Sequence, residues 1–238
     1  MKYIPLLPAL ALLLCACGTP QTEAPSSDEA EPVQEEILPP ETAEPEQQPE
    51  QQPEAVPEDA DFVRVTDYLP GVEVDLKYAT EDNFTGTVIY DFSDAYLRYG
   101  TVKKLQSVMD ELSADGYSLK IWDAFRPTQA QFKLWEICPD PVYVSNPNKG
   151  FSSHSRGNTL DVTLIRTDGS EVEMPTGFDD FSTLADRDYS DVPEAAAGNA
   201  RYLETVMAEH GFKPYQGEWW HFSDTDVYDV DESFLPPQ

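Results

Sequence analysis

Residues 152–165 read SSHSRGNTLDVTLI, and the two halves of this stretch obey different rules. Ser152 to Gly157 is small and polar and ends on glycine, the punctuation of a loop. From Thr159 onward Leu160, Val162 and Leu164 alternate with Thr159, Asp161 and Thr163, the period of a strand with one face on a core. A loop therefore delivers His154, and the strand after it carries Asp161 on the face opposite the core. Asp168-Gly169 then predicts a hairpin turn into EVEM.

The flanking segments supply the rest of a fold. TVKKLQSVMDELSADG places apolar residues at 102, 105, 108, 109 and 112 and a glycine at 116, an amphipathic helix with a stop. YSLKIWD, from Tyr117, reads as a strand, and PTQAQFKLWEIC as a second helix with Pro127 in its first helical position. PEAAAGNARYLETVMAEHG is the last helix, closed by Gly211. His210 in its final turn is accounted for by the helix dipole. FKPYQGEWWHF returns as strand or strand edge. Helices interspersed with a small, mainly antiparallel sheet predict one α+β domain over residues 61–238, a length usual for one domain.

The chemistry-bearing residues are few. The chain has three histidines, and a zinc site in a hydrolase usually takes three protein ligands and leaves one position open. His154, Asp161 and His221 are the expected ligands, for one zinc per chain. Glu218, three residues before His221 and not needed as a ligand, is the expected general base. In an ideal strand Glu218 and His221 would point to opposite faces, so the backbone must turn near Gly217-Glu218, leaving only His221 properly on the strand. Arg126, ahead of the second helix, is a fixed cation for a developing oxyanion and fits better than Arg156.

Taken together, DLKYATEDNFTG (75–86), LKIWDAFRP (119–127), SSHSRGNTLDVTL (152–164), MPTGFDDF (174–181) and EWWHF (218–222) resemble the zinc D,D-peptidases. More narrowly, they resemble the D-alanyl-D-alanine dipeptidases of the vancomycin-resistance type. The resemblance covers nearly all of Asp67 to Asp224. It implies the same ligands and base, Arg126 at the oxyanion, and Tyr78, Ser152 and Asp179 as the residues holding a small zwitterionic substrate. Asp179 would pair the ammonium, although the aspartates of FDDF would serve equally as helix caps. Thr159 departs from the small alanine common in the wider signature, between intact ligands. The implied activity is zinc-dependent hydrolysis of D-alanyl-D-alanine or a similar short D,D-dipeptide. The alternatives are a D,D-carboxypeptidase trimming peptidoglycan stem peptides and a non-catalytic lipoprotein that binds zinc or wall peptide.

Outside that block, MKYIPLLPALALLLCACG (1–18) is a short apolar run behind one lysine, a secretory leader too short to span a bilayer. Its end resembles a bacterial lipobox, with lipidation expected at Cys17 and Cys15 the second choice. Residues 18–60 are rich in Pro, Glu and Gln and, from Thr19 to Asp59, hold no lysine, arginine or aromatic residue. Such a segment buries too little apolar surface to order itself and predicts a disordered acidic tether. The expected location is extracytoplasmic, lipid-anchored to a bacterial membrane. The expected partners are a small dipeptide, that membrane and the peptidoglycan around it. A net charge of −30 argues against nucleic acid. Two of the three cysteines lie in the leader, so Cys138 has no partner for an internal disulfide in the mature domain. Its apolar neighbours at helical spacing predict a buried structural thiol.

Overall fold

The structure, a computed structural model, describes residues 56–238. The leader, Cys17 and residues 18–55 of the acidic tether lie outside the described residues. Asp59 and Asp61 already belong to the body: their carbonyls accept hydrogen bonds from Gly100 and Tyr99 at 3.0 and 2.8 Å. Strand β1 (Phe62–Arg64) and strand β3 (Tyr96–Arg98) then form a small antiparallel ribbon.

The main sheet has five strands: β2 (Glu73–Val74), β4 (Tyr117–Asp123), β5 (Thr159–Arg166), β6 (Phe212–Tyr215) and β7 (Glu218–Asp224). Their spatial order is β2-β4-β5-β7-β6, and only the β2–β4 pair is parallel, which is the small, mainly antiparallel sheet expected. Helices α1 (Tyr99–Ala114) and α3 (Glu194–Glu209) pack on it and on each other. Val102, Leu105, Val108, Met109 and Leu112 of α1 are all buried. At roughly 1.5–3 kcal/mol for each side chain removed from water, this face alone holds the helix to the sheet. Among the described residues no helix is long and apolar enough to cross a membrane.

Three local expectations need correcting. Pro127 has ψ 146°, so it caps helix α2 (Thr128–Ile137) from outside rather than opening it. The hairpin after Asp168-Gly169 makes its turn, with Gly169 at φ +82°, but pairs only at Ile165 and Glu171. Cys138 is only half-buried, at the end of α2, although it does pack against the core.

Strand β5 sits in the centre of the sheet. Leu160, Val162 and Leu164 are fully buried, as the alternation required, but Thr159, Asp161 and Thr163 on the other face are buried too. The face opposite the helices is thus covered rather than open, and it is there that the ionisable groups collect.

Candidate active site

The loop read from SSHSRG is a short 3-10 turn, Ser153–Arg156, ended by Gly157 at φ +75°. Glycine is required twice over: the backbone is left-handed, and a Cβ would run into the Phe62 ring. The turn holds the His154 ring against the start of the DAFRP segment. Since a carbonyl only accepts, Nδ1 of His154 donates to Ala124 O at 2.8 Å, leaving Nε2 facing Asp161 Oδ2 at 3.4 Å. In return Arg126 N donates to His154 O at 3.3 Å.

On the next strand His221 is paired across the ladder with Asp161, and its Nδ1 lies 2.9 Å from Asp161 Oδ1. One donor atom each from His154, Asp161 and His221 falls within 4.8 Å of the others. Glu218 Oε2 lies 3.5 Å from His221 Nδ1, so base and ligand do share a side. The irregularity that allows this differs from the one expected. Glu218 is itself on β7, and the slip lies beyond it: Pro214 pairs Phe222 whereas Tyr215 pairs Glu218, leaving Trp219, Trp220 and His221 without partners on β6.

The electrostatics suit a cation. Burial first, with help from Arg126, holds His154 well below the ordinary histidine range, and burial likewise brings His221 down to about 4. Both rings are therefore neutral and able to ligate. Burial pushes the Asp161 carboxyl well above the usual carboxylate range, with Asp123 adding to it. Asp161 Oδ1 accepts no hydrogen bond despite the His221 nitrogen nearby, which is not aligned as a donor. A buried carboxylate with an orphaned oxygen between two neutral imidazoles is costly by itself and is satisfied by a divalent ion among them. Two nitrogens and a carboxylate oxygen are a donor set that zinc accepts. Glu218 is raised above the usual range by burial and then by Asp161.

Arg126 faces the same cleft and is fixed from behind. Its Nη2 lies 2.6 Å from Asp123 Oδ2, and Nη1 donates to Gln131 Oε1 at 2.9 Å. Asp123, with no exposed surface, also accepts from Tyr90 Oη at 2.6 Å and from Ala124 N at 2.9 Å. Burial, the largest single influence, would lower the Arg126 pKa, but Asp123, Tyr90 and Tyr78 together outweigh it and hold the guanidinium charged. Arg156 instead turns away and donates to Tyr228 O at 2.8 Å.

The residues expected to hold substrate also meet here. Tyr78 Oη donates to Asp179 Oδ2 at 2.7 Å, and the Arg126 guanidinium stands 5.1 Å from the centre of the Tyr78 ring. Asp179 has φ +52°, a left-handed conformation that aspartate tolerates better than most residues, and burial lifts its carboxyl to about 8. It caps no helix among the described residues. With Ser152 these groups and the three candidate ligands line a cleft of about 270 Å³, which Pro141, Val142 and Tyr143 border as well.

The sequence of residues 58–236 matches the family described as D-ala-D-ala dipeptidase. The chain belongs to that family. A D-alanyl-D-alanine dipeptidase of Escherichia coli is 39% identical over 64% of this chain and 79% of its own length. One from Streptomyces coelicolor is 36% identical over 68% of this chain and 91% of its own. Among solved structures, a vancomycin-resistance D,D-pentapeptidase in complex with Zn(II) overlaps 58% of this chain and 76% of its own at a TM-score of 0.38 and 15% identity, too loosely to bear on function.

Within this family member, Asp123, Tyr90 and Gln131 were not singled out from sequence. For Asp123 a signal existed: it stands three residues before Arg126, across the strand-to-helix junction. Nothing local to Tyr90 or Gln131 marks either as a partner of that pair.

Proposed function

We propose that this protein hydrolyses D-alanyl-D-alanine, or a similar short D,D-dipeptide, to free amino acids, using one zinc held by His154, Asp161 and His221. The observation that carries the reading is the convergence of these three donors around an orphaned Asp161 oxygen, with Glu218 at their edge. The names of the relatives support the substrate. Zinc, when bound, supplies Lewis acidity and brings the pKa of water towards about 7.

The remaining chemistry belongs to the chain's own side chains. Glu218 accepts a proton from the attacking water and returns it to the amine nitrogen as the peptide C–N bond breaks. Its raised pKa brings it nearer the pH at which such a shuttle works best. Arg126 is a preorganised cation for the charge that develops on the carbonyl oxygen, held by Asp123 so that it need not reorganise during the reaction. Asp179, with Tyr78, receives the substrate ammonium. Pairing with that cation offsets the cost that burial places on the Asp179 carboxylate. Ser152 contributes a hydroxyl at the wall of the same small cleft.

The reading extends to place. The leader, the lipobox ending at Cys17 and the acidic spacer support a lipoprotein anchored outside a bacterial membrane, with the catalytic domain tethered near the wall and its peptides. The test of the activity is release of D-alanine from D-alanyl-D-alanine by zinc-loaded protein, lost on chelation and absent with the L,L isomer. Turnover that survives complete removal of metal would overturn it.

A further inference from the structure

Outside the cleft, two arginines are buried among the described residues without a part in the proposed chemistry, Arg98 and Arg187, and of these Arg187 is the one that bonds the strand carrying Glu218 and His221. Arg187 sits on the loop before α3 with only 3% of its side chain exposed. Its Nε donates to Tyr215 O at 2.7 Å and its Nη2 to His221 O at 3.0 Å. Its Nη1 donates to Glu204 Oε2 at 3.0 Å and Tyr189 Oη at 3.3 Å, and the guanidinium lies 4.6 Å from the centre of the Phe222 ring. Its backbone N–H donates to Gln216 O at 3.1 Å.

Those contacts fall on the register slip. Between the Pro214–Phe222 and Tyr215–Glu218 pairs, β7 holds three residues with no partner on β6, so ladder hydrogen bonds are missing beside the buried Trp219 and Trp220. Buried carbonyls need donors. Arg187 supplies them to one carbonyl on each strand, and its planar fork spans both strands, as a single ammonium cannot. The slip is also what sets Glu218 and His221, three residues apart, on one side of the strand.

We infer that Arg187 is a positioning residue for the zinc site: it fixes the slipped β6–β7 hairpin and so aims His221 and Glu218 together. Glu204 holds the fork from behind. The inference rests on the zinc peptidase reading. It predicts that loosening the clamp weakens metal affinity and slows turnover without touching any ligand or substrate group.

The test compares Arg187→Lys with Val108→Ala, a fully buried position in α1 that lowers stability away from the site. Zinc affinity is read by chelator competition, kcat and KM at saturating zinc, and ligand geometry by the visible spectrum of the cobalt-substituted protein. Expected for Arg187→Lys is a loss of about 10–100-fold in zinc affinity, the range for groups that orient ligands. A lower kcat with little change in KM and an altered cobalt spectrum should accompany it. Val108→Ala should lower the melting temperature and leave the other readings alone. Should Arg187→Lys not fold, Glu204→Gln, which keeps the arginine but removes its carboxylate, decides by the same readings. Unchanged affinity and spectrum in the folded variant, or equal losses in Val108→Ala, overturn the inference. An unmutated protein that binds no zinc overturns the peptidase reading with it.

Discussion

Asp123 and Arg126 form a buried ion pair, 2.6 Å between Oδ2 and Nη2, at the junction where β4 hands over to α2. The carboxylate has no exposed surface and accepts from Tyr90 as well, so the arginine is aimed by a group that never meets substrate. Asp123→Asn keeps the shape and removes the charge. With the guanidinium free to shift by about 1 Å, kcat should fall on the order of 10²-fold while zinc content stays at one per chain. Steady-state kinetics with metal analysis checks this; an unchanged kcat would show that Arg126 needs no such support.

Glu218→Gln should retain zinc and fold yet lose most turnover, because the amide cannot accept a proton. His221→Ala, by contrast, should lose both metal and turnover. Stoichiometric zinc in the alanine variant, or near-normal kcat in the glutamine variant, would reassign the corresponding role.

For Asp179 the expectation concerns pH. Burial raises its carboxyl to about 8, against about 3.9 for a free aspartate. A raised folded-state pKa contributes stability that is fully present below the unfolded value and is lost as pH rises through the folded one. The metal-free, substrate-free protein should therefore weaken between about pH 4 and 8 at this position. Asp179→Asn should melt a few degrees above the unmutated protein at pH 8, at about 2–4 °C per kcal/mol for a domain of this size, and the gap should close towards pH 4. Thermal melts across that range with chelator present give the answer; a constant gap would remove the titration from the account.

Anchoring is tested by fractionation. Cys17→Ser should move the protein from the membrane fraction to the soluble exported fraction and leave the catalytic domain active. Unmutated protein recovered wholly from the cytosol would contradict the lipoprotein reading.

How much of this was legible beforehand follows from which signals are local. Leu160, Val162 and Leu164 announce β5 because period two is written in neighbouring residues, and Gly157 marks the turn before it because glycine alone suits its φ and its contact with Phe62. Scarcity of histidine narrowed the ligand choice. The spacing of Glu218 and His221 demands an irregularity in the strand, but Trp219 and Trp220, both fully buried, carry no local sign of which residues lose their partners. Asp123 is local to Arg126 but meets Tyr90, 33 residues away, only through the tertiary fold, and Arg187 acts wholly through such partners. Arg187 reaches Glu204 and His221, 17 and 34 residues away, and nothing periodic around it records those contacts.

The central claim is that the cleft recognises a free dipeptide, and substrate length tests it most directly. An acyl group in place of the ammonium leaves Asp179 without its cation, and truncating one partner of a buried charge pair costs about 2–5 kcal/mol. The measurement is kcat/KM of the zinc-loaded protein for D-alanyl-D-alanine, its N-acetyl derivative and a pentapeptide stem, following released D-alanine. The account predicts that N-acetylation lowers kcat/KM at least roughly thirtyfold and that the stem is cleaved no better. Equal cleavage of all three would mean a site open on its amino side, and a D,D-carboxypeptidase in place of a dipeptidase.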